Sequence, residues 1–198
     1  MTIQTLTFSG SLRQGSFNSK LAKFSATKIE SMGIQNLTLE INAFPMPFFN
    51  EDDETENGAP ESASLLREHF AESDLLLIAS PEYNGSLTAA LKNTIDWLSR
   101  PSASKDNQTL SAFDGKVVLL LSASPGGLGG MRGLAHLRDI LSNLGAIVLP
   151  GSVSISAAHN AFDEKGALKS DTQHNKLTNQ IEKAVKLTQH LKAGVESL

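Results

Sequence analysis

Leu75 to Ser80 reads LLLIAS. Five apolar residues in a row, closed by a serine, are too few for an ordinary helix. They fit a strand covered on both faces, because side chains alternate sides along a strand and only a doubly covered sheet needs an apolar residue at every position. The same signature returns in VVLLLSAS, Val117 to Ser124. Two such central strands imply a parallel sheet with helices above and below, and the rest of the chain supplies them. Ile3 to Ser9 alternates as a strand; Phe17, Leu21 and Phe24, then Ile29 and Met32, recur at helical spacing; Ile34 to Ile41 reads as the second strand. Glu61 to Ser73, directly after Pro60, is a short helix, and Leu87, Leu91, Thr94 and Leu98 mark one face of another. Gly130 to Asn143 is helical, Ala146 to Leu149 forms a fifth strand, and Leu177, Ile181, Val185, Thr188 and Leu191 define a closing amphipathic helix. Strand and helix alternate with no repeat and no linker, so residues 1–198 are expected to form a single α/β domain. Ser99 to Asp114 is polar and contains proline, and is expected to be a surface connection.

Composition excludes whole classes of function. With 198 residues, 40% of them hydrophobic and 19% charged, the chain can bury a sizeable core. No apolar run approaches the roughly 20 residues of a bilayer crossing, and MTIQTLTFSG lacks the pattern of a signal peptide, so the expected location is the cytoplasm without membrane insertion. The absence of cysteine removes disulfides, thiolate metal sites and thiol nucleophiles together. A net charge of −4 argues against nucleic acid as a partner, while leaving room for a local cation to grip an anion.

In open parallel sheets ligands sit beyond the carboxyl ends of the strands, where the winding reverses. Three such ends stand out: GSLRQGSFNSK (Gly10 to Lys20), SPEYNGS (Ser80 to Ser86) and SASPGGLGG (Ser122 to Gly130). A sheet of order 2-1-3-4-5 brings all three over one crevice. The first loop is not a dinucleotide fingerprint, since Leu12 stands where the second glycine is needed. Gly10 to Gly15 matches the glycine spacing of a nucleotide-triphosphate loop, but Ser16 and Phe17 replace the lysine and hydroxyl that would follow. What remains is a set of hydroxyls, amides and one guanidinium at a helix start, suited to a single terminal phosphate: Ser11, Ser16 and Asn18 as donors, Arg13 as the counter-charge. The plainer alternative is that Ser16 or Asn18 caps the helix and Arg13 is merely solvated.

The motifs GSLRxxSxN, PEYNGSxxxxLKNxIDWLSR and the later GG-containing loop resemble the NADPH-dependent FMN reductase family, which includes quinone, azo-dye and chromate reductases. That resemblance implies a flavodoxin-like three-layer sandwich around a five-stranded parallel sheet. It implies bound FMN, with NADPH or NADH as reductant and a small-molecule electron acceptor. Carried onto this sequence, it assigns Ser11, Arg13, Ser16 and Asn18 to the FMN phosphate, Pro81, Glu82, Tyr83, Asn84 and Gly85 to the ring, and Ser124, Gly126 and Gly127 to its far edge. Glu82 is expected to act through its main chain, with no acid–base role, because the flavin carries the chemistry. Tyr83 is a ring contact or an ordinary turn aromatic. The resemblance also implies a homodimer or homotetramer.

Other features read more plainly. The five histidines lack metal-ligand spacing, and no metal site is expected. No G-x-S-x-G elbow occurs, which weakens a hydrolase reading. Glu51 to Glu56 (EDDETE) is expected to be a solvated loop, and Phe44 to Phe49 (FPMPFF) to line a subunit interface or a substrate entrance. Trp97 is core or interface. Lys92 and Asp96 are four residues apart in the poorer order for an intrahelical pair, which leaves an intersubunit pair as the alternative. Two function classes follow: an NAD(P)H-dependent FMN reductase with ping-pong exchange, or a flavodoxin-type carrier reduced by a partner protein. Arg13 and PEYN favour the enzyme.

Overall fold

The computed structural model describes residues 2–100 and 111–195. Five parallel positions make the sheet: β1 (Thr5–Ser9), β2 (Asn36–Glu40), β3 (Leu75–Ala79), β4 (Val117–Ala123) and β5 (Ile147–Val148), in the order β2-β1-β3-β4-β5. A sixth segment, β6 (Val153–Ile155), continues the edge position along the upper half of β4, pairing Val153 with Leu121 and Ile155 with Ala123. The fifth strand of the sequence reading is therefore split. Leu149 still donates its N–H to Val118, but Pro150 has no N–H to continue the ladder, and the chain rejoins β4 three residues later. Three residues of VSI carry too little alternation to announce themselves.

The buried register explains LLLIA directly. Leu75, Leu77 and Ala79 belong to one core, shared with Leu21 and Ile29 of α1 (Phe17–Ser31) and with Leu177, Ile181 and Val185 of α7 (Asp171–Val195). Leu76 and Ile78 point the other way, into a second core. That core holds Leu66 and Phe70 of α3 (Glu61–Glu72), Leu91 and Ile95 of α4 (Ala89–Leu98), and Leu134, Leu137 and Leu141 of α5 (Met131–Asn143). This is the three-layer α/β arrangement of the flavodoxin-like fold. A single helical turn, α6 (Ala158–Ala161), follows β6.

Three expectations are corrected. EDDETE is a helix, α2 (Glu51–Asn57), started by Asn50, whose side chain accepts from Asp52 N–H at 3.0 Å, and carrying four acids in its first turn. It has no buried face, so apolar periodicity could not reveal it; capping and acids at the positive end of the helix make it. Lys92 and Asp96 do pair within α4, at 2.6 Å. Of the Ser99 to Asp114 connection, residues 101–110 lie outside the described residues, and its end is not surface: Ala112 and Phe113 are buried, with the Phe113 ring edge-on to Phe70 at 5.7 Å.

FPMPFF is a strap pinned to α4. Asn93 accepts from Phe49 N–H at 2.7 Å and donates to the Pro47 carbonyl at 2.8 Å, which also receives the Trp97 indole N–H at 2.9 Å. Trp97 is thereby a core residue, and Phe48 alone of the strap's aromatics stands mostly exposed.

Candidate active site

The site is built at the carboxyl ends of β1, β3 and β4. Gly10 carries the β1–β3 ladder one step further, donating to the Ala79 carbonyl at 2.9 Å, and the chain then turns into α1. Ser16 caps that helix: its hydroxyl accepts from Asn18 N–H at 3.1 Å. Ser11, one turn back, accepts from Arg13 N–H at 3.3 Å. Both serines are almost fully buried, and because both oxygens accept, each keeps its own hydroxyl hydrogen to donate. There is no acidic residue in the first turn of α1 to answer the helix dipole. Arg13 stands there instead, its guanidinium 5.2 Å from the centroid of the Phe17 ring, and among the described residues it has no carboxylate partner.

Asn18 does something else. Its side-chain amide donates to the Ala123 carbonyl and accepts from the Ala123 N–H, both at 2.9 Å, so it binds the end of β4 as a strand would. The residue brackets the first and third loops together, and its amide is engaged in doing so.

After β3, Pro81 leads into a tight hairpin in which Tyr83 and Ser86 exchange main-chain hydrogen bonds of 2.9 and 3.1 Å. The two residues at its tip, Asn84 (φ 53°) and Gly85 (φ 81°), both lie in the left-handed region, the pattern of a type I′ turn that Asn-Gly favours. Thr88 then starts α4 and reaches back to the Gly10 carbonyl at 3.2 Å. After β4, the four glycines divide by task. Gly129 and Gly130 are structural: a Cβ on Gly130 would lie 1.9 Å from the Ser122 hydroxyl, and one on Gly129 would lie 2.9 Å from the Ile155 carbonyl carbon. Gly126 and Gly127 leave room for a side chain: a Cβ on Gly126 would meet only the Ser124 hydroxyl, at 3.8 Å, and one on Gly127 would have nothing within 4 Å.

These parts meet in a narrow cleft of about 60 Å³ lined by Ser11, Arg13, Ser16, Pro81, Tyr83 and Ser124, with Asn18, Glu82, Ala123 and Pro125 completing its walls. Asn84, Gly85, Gly126 and Gly127 stand outside it, on the turn and loop that continue from its rim. Larger hollows exist, one of about 610 Å³ beside Gln4, Asn36 and His69, but it opens at the amino ends of the strands, opposite the end where ligands of open parallel sheets sit.

Sequence reasoning missed two contributors. Arg132, on α5, pairs with Glu82, whose side chain is thereby engaged. The segment following β6 also reaches the site: Ser124 donates to the Ile155 carbonyl at 3.0 Å and its own carbonyl accepts from Ala158 N–H at 3.1 Å, with Ala157 held at φ 48° between them. An arginine two residues past GG was visible in the sequence, but its partner fifty positions earlier was not.

The profile of the NADPH-dependent FMN reductases matches residues 3–160. The chain belongs to that family. It is 37% identical over 184 residues to an NAD(P)H-dependent FMN reductase of Pseudomonas aeruginosa, covering 91% of this chain and 92% of that one. It is 39% identical over 151 residues to a quinone reductase of Escherichia coli, covering 74% and 73%. Among solved structures, a flavoenzyme NAD(P)H:(acceptor) oxidoreductase of Paracoccus denitrificans superposes with a TM-score of 0.77 at 25% identity, over 96% and 98% of the two chains. This FMN reductase family member is accordingly an NAD(P)H-dependent oxidoreductase with FMN as its cofactor. The residues present fit that group. The cleft offers two buried hydroxyl donors, a helix start with no acid, and a guanidinium without a carboxylate partner among the described residues, which is the complement of one phosphate.

Proposed function

We propose that this chain reduces quinones in two-electron steps, with azo compounds, metal oxyanions and free flavin as further acceptors, by ping-pong exchange at a single open face. Bound FMN supplies the redox chemistry, accepting a hydride equivalent from the nicotinamide and returning the electrons to the acceptor. The observation that carries the reading is Arg13, a cation set at a helix start between two buried serines and without a carboxylate partner among the described residues.

In this proposal Ser11, Arg13 and Ser16 hold the phosphate, with Asn18 bracing their loop on β4. Pro81, Glu82, Tyr83, Asn84 and Gly85 form the seat along the ring, and Ser124, Gly126 and Gly127 border its far edge. The protein's task is to bind, orient and leave one face accessible. Tyr83 is 53% exposed and Gly127 has nothing over it, so nicotinamide and acceptor would share one place in turn. The kinship with quinone reductases favours quinones among the acceptors. Among the described residues no helix is long and apolar enough to cross a membrane. We propose a single domain assembled as a homodimer or homotetramer, with exposed Phe48 and Leu12 on the subunit contact.

Anaerobic mixing of the holoprotein with NADPH or NADH isolates the first half-reaction. Oxidised-flavin absorbance should be lost before any acceptor is present and return when a quinone is added. A holoprotein that stays oxidised with nucleotide alone, and turns over only when nucleotide and quinone are present together, would overturn the ping-pong scheme.

A further inference from the structure

Two of the site's three loops are tied by a contact that flavin binding itself does not demand. Both oxygens of the Glu82 carboxylate are doubly hydrogen bonded. One accepts from the main-chain N–H of Arg132 at 3.0 Å and of Gly133 at 3.1 Å. The other accepts from Arg132 Nε at 2.8 Å and from Arg132 Nη2. The Glu82 side chain is only 8% exposed, although Arg132 is 61% exposed. The two amides belong to the first turn of α5, whose preceding residue, Gly130, has no side chain to accept them. Glu82 caps that helix from a different loop.

The other end of the hairpin is docked on the same helix. A Cβ on Gly133 would lie 3.0 Å from the Ser86 carbonyl oxygen and 3.3 Å from the Glu82 Cβ, so a larger residue here would push the hairpin away from α5 by a few tenths of an ångström. One turn further on, His136 Nδ1 bonds the Ser86 hydroxyl at 3.0 Å. Burial pushes the Glu82 carboxyl up, but the Arg132 hydrogen bond, the Gly133 amide and the Arg132 charge outweigh it and hold the group below its ordinary value. An ionised carboxylate therefore lies next to Tyr83, cancelled by one guanidinium.

We propose that Glu82 and Arg132 are positioning residues of the redox site: together they fix the Tyr83–Ser86 turn against α5, and each cancels the charge the other would impose on the flavin. The proposal rests on the reading that the ring lies along that turn. Reduction adds negative charge to the ring, so a lone carboxylate beside it opposes reduction and a lone guanidinium assists it. Glu82→Gln should raise the ratio of affinities for reduced over oxidised FMN, by about tenfold, equal to about 30 mV in a two-electron couple. Arg132→Gln should lower it by a similar factor, and the double variant should return near the parent value.

The experiment measures the midpoint potential of bound FMN in the parent protein, both single variants and the double, with amide exchange at residues 82–86 in each apoprotein. Opposite shifts in the two single variants, with faster hairpin exchange in both, are the expected result. Shifts of the same sign, or none, would overturn the proposal, since damage to packing alone has no reason to follow charge. Should either charge-removing variant fail to fold, Arg132→Lys decides the matter. It keeps the charge and loses the fork, so it should exchange faster at the hairpin while holding the parent potential, and an unchanged exchange rate would overturn the clamp. Adding FMN to the parent apoprotein tests the underlying reading separately. If hairpin exchange does not slow, the ring does not lie there, and seat and clamp fall together.

Discussion

Arg13 has little to do in the protein by itself. It lies at the positive end of a helix dipole with the Phe17 ring as its contact and, among the described residues, no carboxylate partner, an arrangement that favours an anion bound between guanidinium and helix. Arg13→Ala should therefore weaken FMN binding by about 1.5–3 kcal/mol, the range for hydrogen bonds to charged groups, or roughly tenfold to hundredfold in Kd. Riboflavin, which lacks the phosphate, should bind both proteins alike; parallel fluorescence titrations measure this, and equal losses for the two ligands would count against a phosphate contact. The glycines give a second test at this scale. Gly127 borders open space, whereas Gly130 is held at φ 90° with its Cβ position 1.9 Å from the Ser122 hydroxyl. Gly127→Ala should leave urea stability within about 0.5 kcal/mol of the parent, as surface substitutions do, yet reduce FMN affinity. Gly130→Ala should lose well over about 1 kcal/mol of stability, from a strained backbone and a clash together. A Gly127→Ala protein that binds FMN as the parent does would remove the glycine loop from the cofactor's edge.

At the scale of elements, what the sequence could show depended on whether an element's cause was local. β3 and β4 were legible because burial on both faces writes itself into every residue, and α1, α4 and α5 because one face repeats. α2 and β6 were not: the first is made by a cap and a run of acids, the second by a neighbour's unfinished edge. The loops were legible as a set, but the contacts that fix them cross 105 residues at Asn18–Ala123 and 50 at Glu82–Arg132, and no spacing rule encodes those. Arg67 is the sharpest case. It reads as a polar residue on an amphipathic helix, yet it is 1% exposed, donating from Nη2 to the Trp97 carbonyl at 2.7 Å and from Nε towards the Leu98 carbonyl at 3.4 Å. Both carbonyls lie at the end of α4, where the Trp97 carbonyl also accepts from Arg100 N–H at 3.4 Å, so a buried cation helps close the helix that follows the Tyr83–Ser86 hairpin. Burial lowers the arginine's pKa from its ordinary value, and the Glu54 charge opposes that change, but a guanidinium stays protonated throughout the ordinary pH range. Arg67→Met keeps the packing of the stem and removes the guanidinium from both carbonyls, and should cost about 1.5–3 kcal/mol in urea unfolding. A loss below about 0.5 kcal/mol, the scatter of neutral surface changes, would mean that water replaces the guanidinium without penalty.

At the scale of the whole molecule, the site exists only because the strand order brings β1, β3 and β4 side by side, so that loops separated by some seventy and forty residues in sequence open on one cleft. The ties Thr88 to Gly10, Asn18 to Ala123 and Glu82 to Arg132 join segments at the carboxyl ends of different strands to one another. The two cores determine that the sheet forms; the ties determine that its upper edge is a binding site before a ligand arrives. A ligand gripped by such a pre-arranged edge should stabilise the entire domain, because it binds the folded chain and finds no comparable set of donors in the unfolded one. At a free concentration about a hundredfold above Kd, that linkage is worth about 2.7 kcal/mol. For a domain of this size, each kcal/mol moves Tm by about 2–4 °C, so FMN should raise the apoprotein's Tm by about 5–11 °C. Riboflavin at the same concentration, without the phosphate that Arg13 and the two serines would hold, should raise it much less, and the gap between the two flavins should close in Arg13→Ala. A scan in which FMN and riboflavin stabilise the parent equally would show that the first loop contributes nothing to the grip. A scan in which FMN sharpens only part of the transition would show that the upper edge unfolds apart from the cores, and that the ties do not join it to the rest of the fold.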